Sequence, residues 1–387
     1  MRFFQAATKS GKSPKGGKSD ISKAAAPTAT FSESSASEAG RFYITLDENA
    51  QYYECGFSCD NALLLRADDV CYFLTDSRYV LEAKQLATKG TQVVESSSFT
   101  ESLATLIKQL GIKHIMANPN ELTIALYERL RAELEGVGCA IALAPNFHQK
   151  LRICKTPEEI KLIKKSQKLN KRAFDDFGTF LAKSLEKGKI LSERQLHYHA
   201  KGFLGHFGEY DLSFDPIVGI NENAAKPHAL PSPKCLLTKG DLLLFDAGIK
   251  YKRYCSDMTR TATMRGDIHF GKKQKFKDPK MQKIYDIVRK AQERAITKAR
   301  SGMKAREIDA LARDVIEKSG YGEYFVHSTG HGIGLDIHEL PRISRLSEEV
   351  ILDGMVFSIE PGIYLPGEFG VRIEDLVVMR HGRAEIV

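Results

Sequence analysis

Two segments of this chain repeat one short pattern 114 residues apart, and each copy ends an apolar strand on an acidic residue. Gly240-x5-Asp246-x-Gly248-Ile249 recurs as Gly354-x5-Glu360-x-Gly362-Ile363. Upstream, Gly208-Glu209-Tyr210 recurs as Gly322-Glu323-Tyr324, each after a helical stretch. Similarity at a fixed spacing indicates an internal duplication. We therefore predict two copies of a helix-then-hairpin unit, with one carboxylate at the same place in each.

Each copy also carries a second carboxylate on the returning strand of its hairpin. The two pairs are Asp246 with Asp257 and Glu360 with Glu374. A turn centred between Tyr251 and Lys252 would place the first pair directly opposite, with Cβ atoms about 5 Å apart. A turn centred on Gly367 would do the same for the second pair. Opposed carboxylates repel one another and are costly to remove from water, so the pattern predicts divalent metal ions between them.

A stretch rich in histidine offers the nitrogen that such a metal site needs. His327, His331 and His338 fall within twelve residues of the second copy. Taken one at a time, these carboxylates and histidines are more often exposed strand residues or loop residues than ligands. Their combination favours four carboxylates and one imidazole around two ions.

The basic charge of the chain is modest and partly confined to one end. The formal net charge is +8 over 387 residues, and residues 1–40 contribute +3 of it through six basic and three acidic side chains. The rest of this segment is mostly Ser, Ala, Gly, Thr and Pro, with too little apolar surface to offset the entropy of ordering. We predict a disordered basic tail. Lysines scattered without aromatic residues do not favour a nucleic-acid partner.

The cysteines and the apolar runs indicate in which cellular compartment the protein is expected to lie. Seven cysteines occur without any Cys-x-x-Cys pair, which is typical of a reducing compartment. No apolar run approaches the roughly 18 residues that span a bilayer, and the start of the chain lacks the apolar segment of a secretory signal. We therefore expect a cytoplasmic protein without a membrane partner.

The remaining chain divides into two regions. Residues 41–150 alternate short β-rich runs with helical runs, which predicts an α/β domain. Thr156-Pro157-Glu158-Glu159 then combines an N-cap Thr, a Pro at the first helical position and a Glu three residues after the cap, so a long helix begins there. We place the domain boundary near residue 150, which leaves residues 151–387 for the duplicated part.

The motifs of residues 151–387 resemble those of the pita-bread metallopeptidases, the family of prolidase, aminopeptidase P and methionine aminopeptidase. The resemblance is carried by Asp246-Ala247-Gly248, Ser256-Asp257-x-Thr259-Arg260-Thr261, residues 327–339, Ser358-Ile359-Glu360-Pro361-Gly362 and Val371-Arg372-Ile373-Glu374-Asp375. Asp76-Ser77-Arg78-Tyr79 and its α/β context resemble the creatinase-type N-terminal domain of the proline-specific members. The resemblance implies an α/β creatinase-like N-terminal domain followed by an α+β pita-bread catalytic domain with an internal pseudo-twofold repeat.

The resemblance also implies a set of metal ligands. Position by position, the five ligands of the family fall on Asp246, Asp257, His331, Glu360 and Glu374. Asp257 and Glu374 would bridge two divalent ions. Asp246 would bind one ion only, and His331 with Glu360 would complete the site of the other. A hydroxide between the ions would attack the scissile carbonyl, with Glu360 as proton shuttle. Mn is the expected metal, and Co, Fe and Zn suit the same ligands.

Other family positions are matched outside the ligand set. His228 and His338 match two histidines that would steady the tetrahedral intermediate and the leaving proline nitrogen, and His327 matches one that lines the substrate site. Arg372, beside a ligand Glu, would either balance charge or contact a substrate carboxylate. Relatives often have Gly where this chain has Arg253, and this departure bears on where the turn of the first hairpin lies.

The resemblance implies an Xaa-Pro dipeptidase or Xaa-Pro aminopeptidase that acts on short proline-containing peptides as a homodimer. In this family the N-terminal domain of a second subunit commonly approaches the active site and limits substrate length. Two alternatives stay open: a pita-bread protein that has lost catalysis and binds peptide or nucleic acid, and a methionine aminopeptidase. Retention of all five ligands favours catalysis, and the creatinase-type N-terminal domain favours Xaa-Pro substrates.

Overall fold

The computed structural model describes residues 41–387, so the tail predicted for residues 1–40 lies outside the described residues. A mixed α/β part comes first in the chain, and a larger α+β part follows it. Of the helices between residues 41 and 387, none combines the length and the apolar character that a membrane crossing requires.

The first part is built on six strands: β1 Phe42–Thr45, β2 Ala62–Ala67, β3 Val70–Thr75, β4 Gln92–Glu95, β5 His114–Ala117 and β6 Ala140–Leu143. They form one sheet with the order β4-β3-β2-β1-β5-β6. Alternation along the central β2 sends Leu63 and Leu65 into one apolar core and Leu64 into another on the opposite face. The sheet is therefore covered on both faces.

The helices of this first part are α1 Glu48–Cys55, α2 Val80–Leu86, α3 Phe99–Leu110, α4 Ile124–Gly136 and α5 Phe147–Leu151. The Asp47 side chain accepts the Ala50 N–H and starts α1, which ends at the left-handed Gly56. The α/β alternation predicted for residues 41–150 is confirmed. β4 and β6 contain no fully buried side chain and have a correspondingly weak apolar pattern in the sequence.

Four helices frame the second part: α6 Pro157–Glu186, α7 Glu193–Leu204, α8 Pro279–Lys298 and α9 Ala305–Lys318. The predicted long helix, α6, begins as expected. Thr156 Oγ1 accepts the Glu159 N–H at 3.2 Å, and the Glu159 carboxylate accepts the Thr156 N–H at 2.9 Å. This reciprocal pair satisfies two backbone donors that the first turn leaves free.

The strands of the second part are β7 Leu191–Ser192, β8 Asp211–Leu212, β9 Ile217–Ile220, β10 Leu236–Leu237, β11 Leu242–Ala247, β12 Ile249–Tyr251, β13 Tyr254–Cys255, β14 Met258–Thr263, β15 Gly330–Gly332, β16 Glu339–Ile343, β17 Val356–Ile359, β18 Gly362–Leu365, β19 Phe369–Arg372, β20 Asp375–Arg380 and β21 Arg383–Ile386. The order β9-β11-β14 in one sheet corresponds to β15-β17-β20 in another. α6 and α7 pack on the first of these sheets, and α8 and α9 on the second. The predicted fold class and its internal repeat are confirmed.

The duplicated elements also show where the copies differ. β11 and β17 start 114 residues apart, at residues 242 and 356, whereas β14 and β20 start 117 residues apart, at residues 258 and 375. The second hairpin is therefore three residues longer than the first. Both hairpins nonetheless deliver a carboxylate directly before the last of these strands.

The predicted register is confirmed in the second hairpin. The strand pairs that flank its two glutamates are Ile359 with Asp375 and Gly362 with Arg372. Both pairs extrapolate to the same alignment, in which Glu360 stands opposite Glu374. The turn is centred on Gly367, whose φ of 75° lies in the left-handed region that favours glycine.

The predicted register is wrong in the first hairpin. Asp246 pairs with Thr259 instead of facing Asp257. The turn lies one position later than predicted, because Lys252 and Arg253 both adopt positive φ, 48° and 68°. Moving the turn by one position displaces the register by two residues, and an even displacement keeps Asp257 on the face that Asp246 occupies.

We expect the junction after β11 to tolerate no side chain larger than hydrogen. A Cβ on Gly248 would lie 1.9 Å from the Ser256 carbonyl oxygen, so Gly248→Ala should lower the free energy of unfolding by about 3 kcal/mol. Gly136→Ala is the matched control, because a Cβ there meets no described atom within 4 Å. Urea denaturation of both variants measures the difference, and equal stabilities would contradict the close approach.

Candidate metal centre

Four of the five predicted metal ligands, the carboxylates, come from corresponding places in the two copies. Asp246 lies in β11, and Asp257 directly precedes β14. Glu360 directly follows β17, and Glu374 directly precedes β20. His331 lies in β15 of the second copy. All five therefore stand on or beside central strands, where strand pairing limits their movement.

Hydrogen bonds join the two copies at this place. The Glu374 N–H donates to the Thr259 carbonyl at 3.1 Å. Thr261 Oγ1 donates to the Arg372 carbonyl at 3.0 Å and accepts the Arg372 N–H at 3.1 Å. Arg260 Nη1 donates to the Glu374 carbonyl. The segment 259–261 of one copy thus holds the segment 372–374 of the other.

Three of the predicted ligands lie close enough to share an ion. One ligand atom each of Asp257, His331 and Glu374 lies within 4.8 Å of the others. His331 Nε2 lies 3.6 Å from Asp257 Oδ2 and 3.3 Å from Glu360 Oε1. His331 Nδ1 donates to the Gly332 carbonyl at 3.1 Å, and burial lowers the pKa of this imidazole. A neutral ring with its Nε2 lone pair facing the carboxylates is the form that binds metals.

Three buried oxygens at the centre have no hydrogen-bond partner within residues 41–387: Asp246 Oδ1, Asp257 Oδ1 and Glu374 Oε1. Buried polar atoms in native proteins are nearly always hydrogen-bonded, and an unpaired buried charge is costly. The other oxygens of two of these groups are occupied. Arg372 Nη2 lies 2.6 Å from Asp246 Oδ2, and Thr259 Oγ1 donates to Glu374 Oε2 at 2.8 Å. The free oxygens therefore fit a divalent cation.

The carboxylates perturb one another strongly. Burial raises the pKa of Asp257 well above its ordinary value, and the charge of Glu374 raises it further. Burial also raises the pKa of Glu374, with the charges of Glu360 and Asp246 acting in the same direction. Burial raises the pKa of Glu360 to about 7, although the positive charge of Arg372 opposes this. The cluster thus resists holding its full negative charge without cations.

Arg372 connects a predicted ligand to a tyrosine and a histidine. Its Nη2 pairs with Asp246, and its Nη1 donates to the Tyr364 hydroxyl at 2.7 Å. The same hydroxyl lies 2.8 Å from His327 Nε2, and the His327 Nδ1 lies 2.8 Å from the Ser328 carbonyl. Arg372 is 3% exposed. This geometry favours charge balance over direct contact with a substrate carboxylate.

The other predicted histidines surround the centre. The His338 ring stands edge-on to His331 with centroids 4.3 Å apart, and His338 is exposed. Partial burial and the neighbouring His331 lower the pKa of His338 to about 4. Burial lowers the pKa of the half-buried His327 to about 3. His228 is exposed, and its charge acts on the pKa of Glu360.

Several residues that support the site were not predicted from the sequence. Tyr364 links two site residues, and Ser358 Oγ donates to Glu360 Oε1 at 3.1 Å. Strand alternation was the available signal for both, because they lie an even number of residues from Glu360. Arg313, paired with Asp309 at 2.6 Å, donates to the carbonyl of residue 327 at 2.8 Å. Nothing in the helical pattern of α9 distinguishes this pair from an ordinary surface pair.

The duplicated fold and its buried cluster of carboxylates and imidazole define a metal-dependent hydrolase. Residues 161–381 match the model of metallopeptidase family M24, and residues 35–154 match the Creatinase/Prolidase N-terminal domain. The chain belongs to metallopeptidase family M24. The expectation of a metallopeptidase from the sequence is therefore confirmed.

Individual relatives agree with this assignment. The chain is 35% identical to an Xaa-Pro dipeptidase of Lactobacillus helveticus over 84% of this chain and 87% of that protein. It superposes on an Xaa-Pro dipeptidase from Bacillus anthracis with a TM-score of 0.80 at 34% identity, covering 91% of this chain and 94% of the other. An X-Pro aminopeptidase from Thermotoga maritima gives 0.77 at 29% identity, covering 92% and 97%.

We expect adjacent acidic residues to have opposite effects on stability. Glu374→Gln removes a carboxylate whose charged form is disfavoured by burial, so without metal at pH 7 the variant should be at least as stable as the parent. It should also lose most of the stabilisation that Mn²⁺ gives to the parent. Asp375 instead pairs with Arg260 at 2.6 Å and with Lys272. Asp375→Asn should destabilise the protein by about 3 kcal/mol while keeping the metal increment.

Thermal unfolding of both variants, in chelator and in Mn²⁺, makes the comparison. The two residues are neighbours in the chain, so general disruption of this strand would affect both variants alike. A Glu374→Gln protein that is stabilised by Mn²⁺ as much as the parent would contradict the placement of Glu374 at the metal.

Proposed function

We propose that this chain is a metal-dependent exopeptidase that hydrolyses Xaa-Pro bonds in dipeptides or at the N-terminus of short peptides. The observation that carries the proposal is the buried junction of Asp257, His331 and Glu374, in which carboxylate oxygens remain free. The relatives named Xaa-Pro dipeptidase and X-Pro aminopeptidase support the substrate class.

Two divalent ions would be held by Asp246, Asp257, His331, Glu360 and Glu374. Their chemistry would be to polarise the scissile carbonyl and to activate the attacking water. Mn²⁺ is our first candidate, and Co, Fe and Zn suit four carboxylates and one imidazole as well. Asp257 and Glu374, which share the centre of the cluster, are the residues we assign to bridging.

Glu360 is the residue we assign to proton transfer. Its side chain is 16% exposed, so it is partly open to solvent, and Ser358 orients it. It would accept the proton of the attacking water and deliver that proton to the leaving nitrogen of proline. His228 and His338, both exposed beside the centre, would donate hydrogen bonds to the carbonyl oxygen as it gains negative charge and would steady the leaving nitrogen.

We assign the substrate carboxylate to the side of the site that His327 lines, with the buried Arg372 behind it as a source of positive charge without direct contact. The Tyr364 hydroxyl lies between them, within 2.8 Å of each. Arg372 pairs with Asp246 and supplies positive charge to this side, and His327 presents its half-buried ring to the substrate. Loss of the Tyr364 hydroxyl would break the hydrogen-bond link between His327 and Arg372.

We also propose a domain organisation and an assembly. Residues 41–150 would be the creatinase-type domain and residues 151–387 the catalytic domain, which is supported by a first sheet that ends at residue 143 and by the start of α6 at Pro157.

The protein would act as a homodimer in which the N-terminal domain of the second copy limits substrate length. The seven unpaired cysteines, all within residues 41–387, support a cytoplasmic location.

Chelator-sensitive cleavage of Ala-Pro tests the reaction. We expect hydrolysis with Mn²⁺, none with chelator, and a loss of at least about 100-fold in kcat/KM for Asp257→Asn. Asp353→Asn is the control, because this carboxylate is exposed and bonds Ser301 away from the centre. Full activity of Asp257→Asn would contradict the site, and metal-independent RNA binding without cleavage would favour a silent binding protein.

A second measurement tests substrate length and assembly. We expect the protein to sediment at twice the mass of one chain and to cleave Ala-Pro faster than Ala-Pro-Ala, because a partner domain over the site would exclude longer peptides. A fully active monomer would contradict this arrangement. Release of Met from peptides that lack Pro would favour methionine aminopeptidase.

A further inference from the structure

The turn of the first hairpin carries residues that its backbone does not favour. Lys252 and Arg253 occupy the two central positions between β12 and β13, and both have positive φ. Two-residue turns of this kind favour Gly, Asn or Asp there, because a larger side chain is strained in the left-handed region. Arg253 is therefore strained at this position, and the contacts of its side chain indicate what it contributes to the structure.

The Arg253 side chain reaches from the catalytic part to α1 and the loop after it. Its Nη1 donates to Ser58 Oγ at 2.5 Å and its Nη2 donates to Asn49 Oδ1 at 3.3 Å. Its guanidinium carbon lies 4.8 Å from the centroid of the Tyr52 ring. A planar guanidinium suits both forked hydrogen bonding and stacking on an aromatic ring. These contacts tie the tip of the first hairpin to the N-terminal part of the same chain.

Asn49 ties a second element of the metal centre to the same place. Its amide oxygen accepts from Arg253, and its Nδ2 donates to Asp336 Oδ1 at 2.5 Å. A guanidinium only donates and a carboxylate only accepts, so the two partners determine the orientation of the amide. Asp336 lies in residues 331–338, which we call the histidine segment because it begins with His331 and ends with His338.

The hairpin and the histidine segment also touch each other near the ligands. The Cys255 N–H donates to the Gly334 carbonyl at 2.8 Å, and Cys255 Sγ lies 3.5 Å from the Leu335 carbonyl oxygen. Cys255 is fully buried and lies midway between Arg253 and Asp257 in the chain. Because this path is short and packed, a displacement of the hairpin tip reaches Asp257 and the histidine segment.

We infer that Arg253 and Asn49 form a clamp within one chain, through which the N-terminal part positions Asp257 and the histidine segment for metal binding. The inference rests on the metal centre of the proposed function. Both are positioning residues, since they act through the segments that carry the ligands. Metal affinity then depends on a contact between the two parts of a single chain as well as on the ligands themselves.

Thermal unfolding of the full chain tests the clamp. Metal is first removed with chelator, and the unfolding temperature is then followed as Mn²⁺ is titrated in. Arg253→Gly relieves the strained backbone, so the variant should fold at least as well as the parent. We nevertheless expect it to need about 10-fold more Mn²⁺ for half of the stabilisation. Lys252→Gly is the matched control, because this neighbour has the same backbone strain and an exposed side chain that lies 6.0 Å from the Tyr251 ring of its own hairpin.

A shared clamp also predicts how two variants combine. Asn49→Ala should weaken Mn²⁺ binding at least as much as Arg253→Gly, and the double variant should lose less affinity than the product of the two single losses. With Ala-Pro as substrate, kcat at limiting Mn²⁺ should fall and KM for the peptide should stay within about twofold. Parental Mn²⁺ affinity in Arg253→Gly, equal losses in Arg253→Gly and Lys252→Gly, or losses that multiply in the double variant would each overturn the clamp. Because the metal titration needs no cleavage, failure of the proposed peptidase activity remains distinguishable from failure of the clamp.

Discussion

Like charges are buried together where the two copies of the repeat meet, and the surrounding strands hold them there. Asp257 and Glu374 lie within 4.8 Å of each other and of His331, and the charge of Glu374 raises the pKa of Asp257. Such a cluster is stable only if cations neutralise it and if the surrounding backbone cannot relax away. Strand pairing on both sides and the hydrogen bond from Glu374 to Thr259 across the junction provide that rigidity.

Duplication is an economical way to build this centre. Each copy supplies a carboxylate at the end of one central strand and a second one directly before the next, so two copies that face each other bring four carboxylates together. The copies are not equivalent, because only the second supplies a histidine, from β15, and its hairpin is three residues longer. Charges behind the centre are balanced as well, since Asp375 pairs with Arg260 while its neighbour Glu374 faces the cluster. These neighbouring acidic residues therefore have opposite electrostatic environments.

The N-terminal part would contribute to the centre in two separate ways. In the proposed dimer it covers the site of the second copy, whereas within one chain α1 bonds the first hairpin through Arg253 and the histidine segment through Asp336. Arg152 adds a second bond to Asp336 from the segment that joins the two parts. The histidine segment is thus held from the N-terminal side as well as by its own sheet. These bonds explain how a short segment with little regular secondary structure can hold His331 and His338 in a defined orientation.

Local signals in the sequence were enough to determine the start of α6, the α/β character of residues 41–150 and the register of the second hairpin, because a capping box, alternation and a turn glycine each act within a few residues. The duplication was visible as similarity at a fixed spacing along the chain. The first register was predicted wrongly, because nothing local shows that Lys252 and Arg253 both turn left-handed. No local signal shows which oxygens stay unpaired, that Arg372 bonds Asp246 and Tyr364, or that Arg253 reaches α1. These features come from the packing of the folded chain, because the contacts join residues that lie 8 to 204 positions apart in the chain.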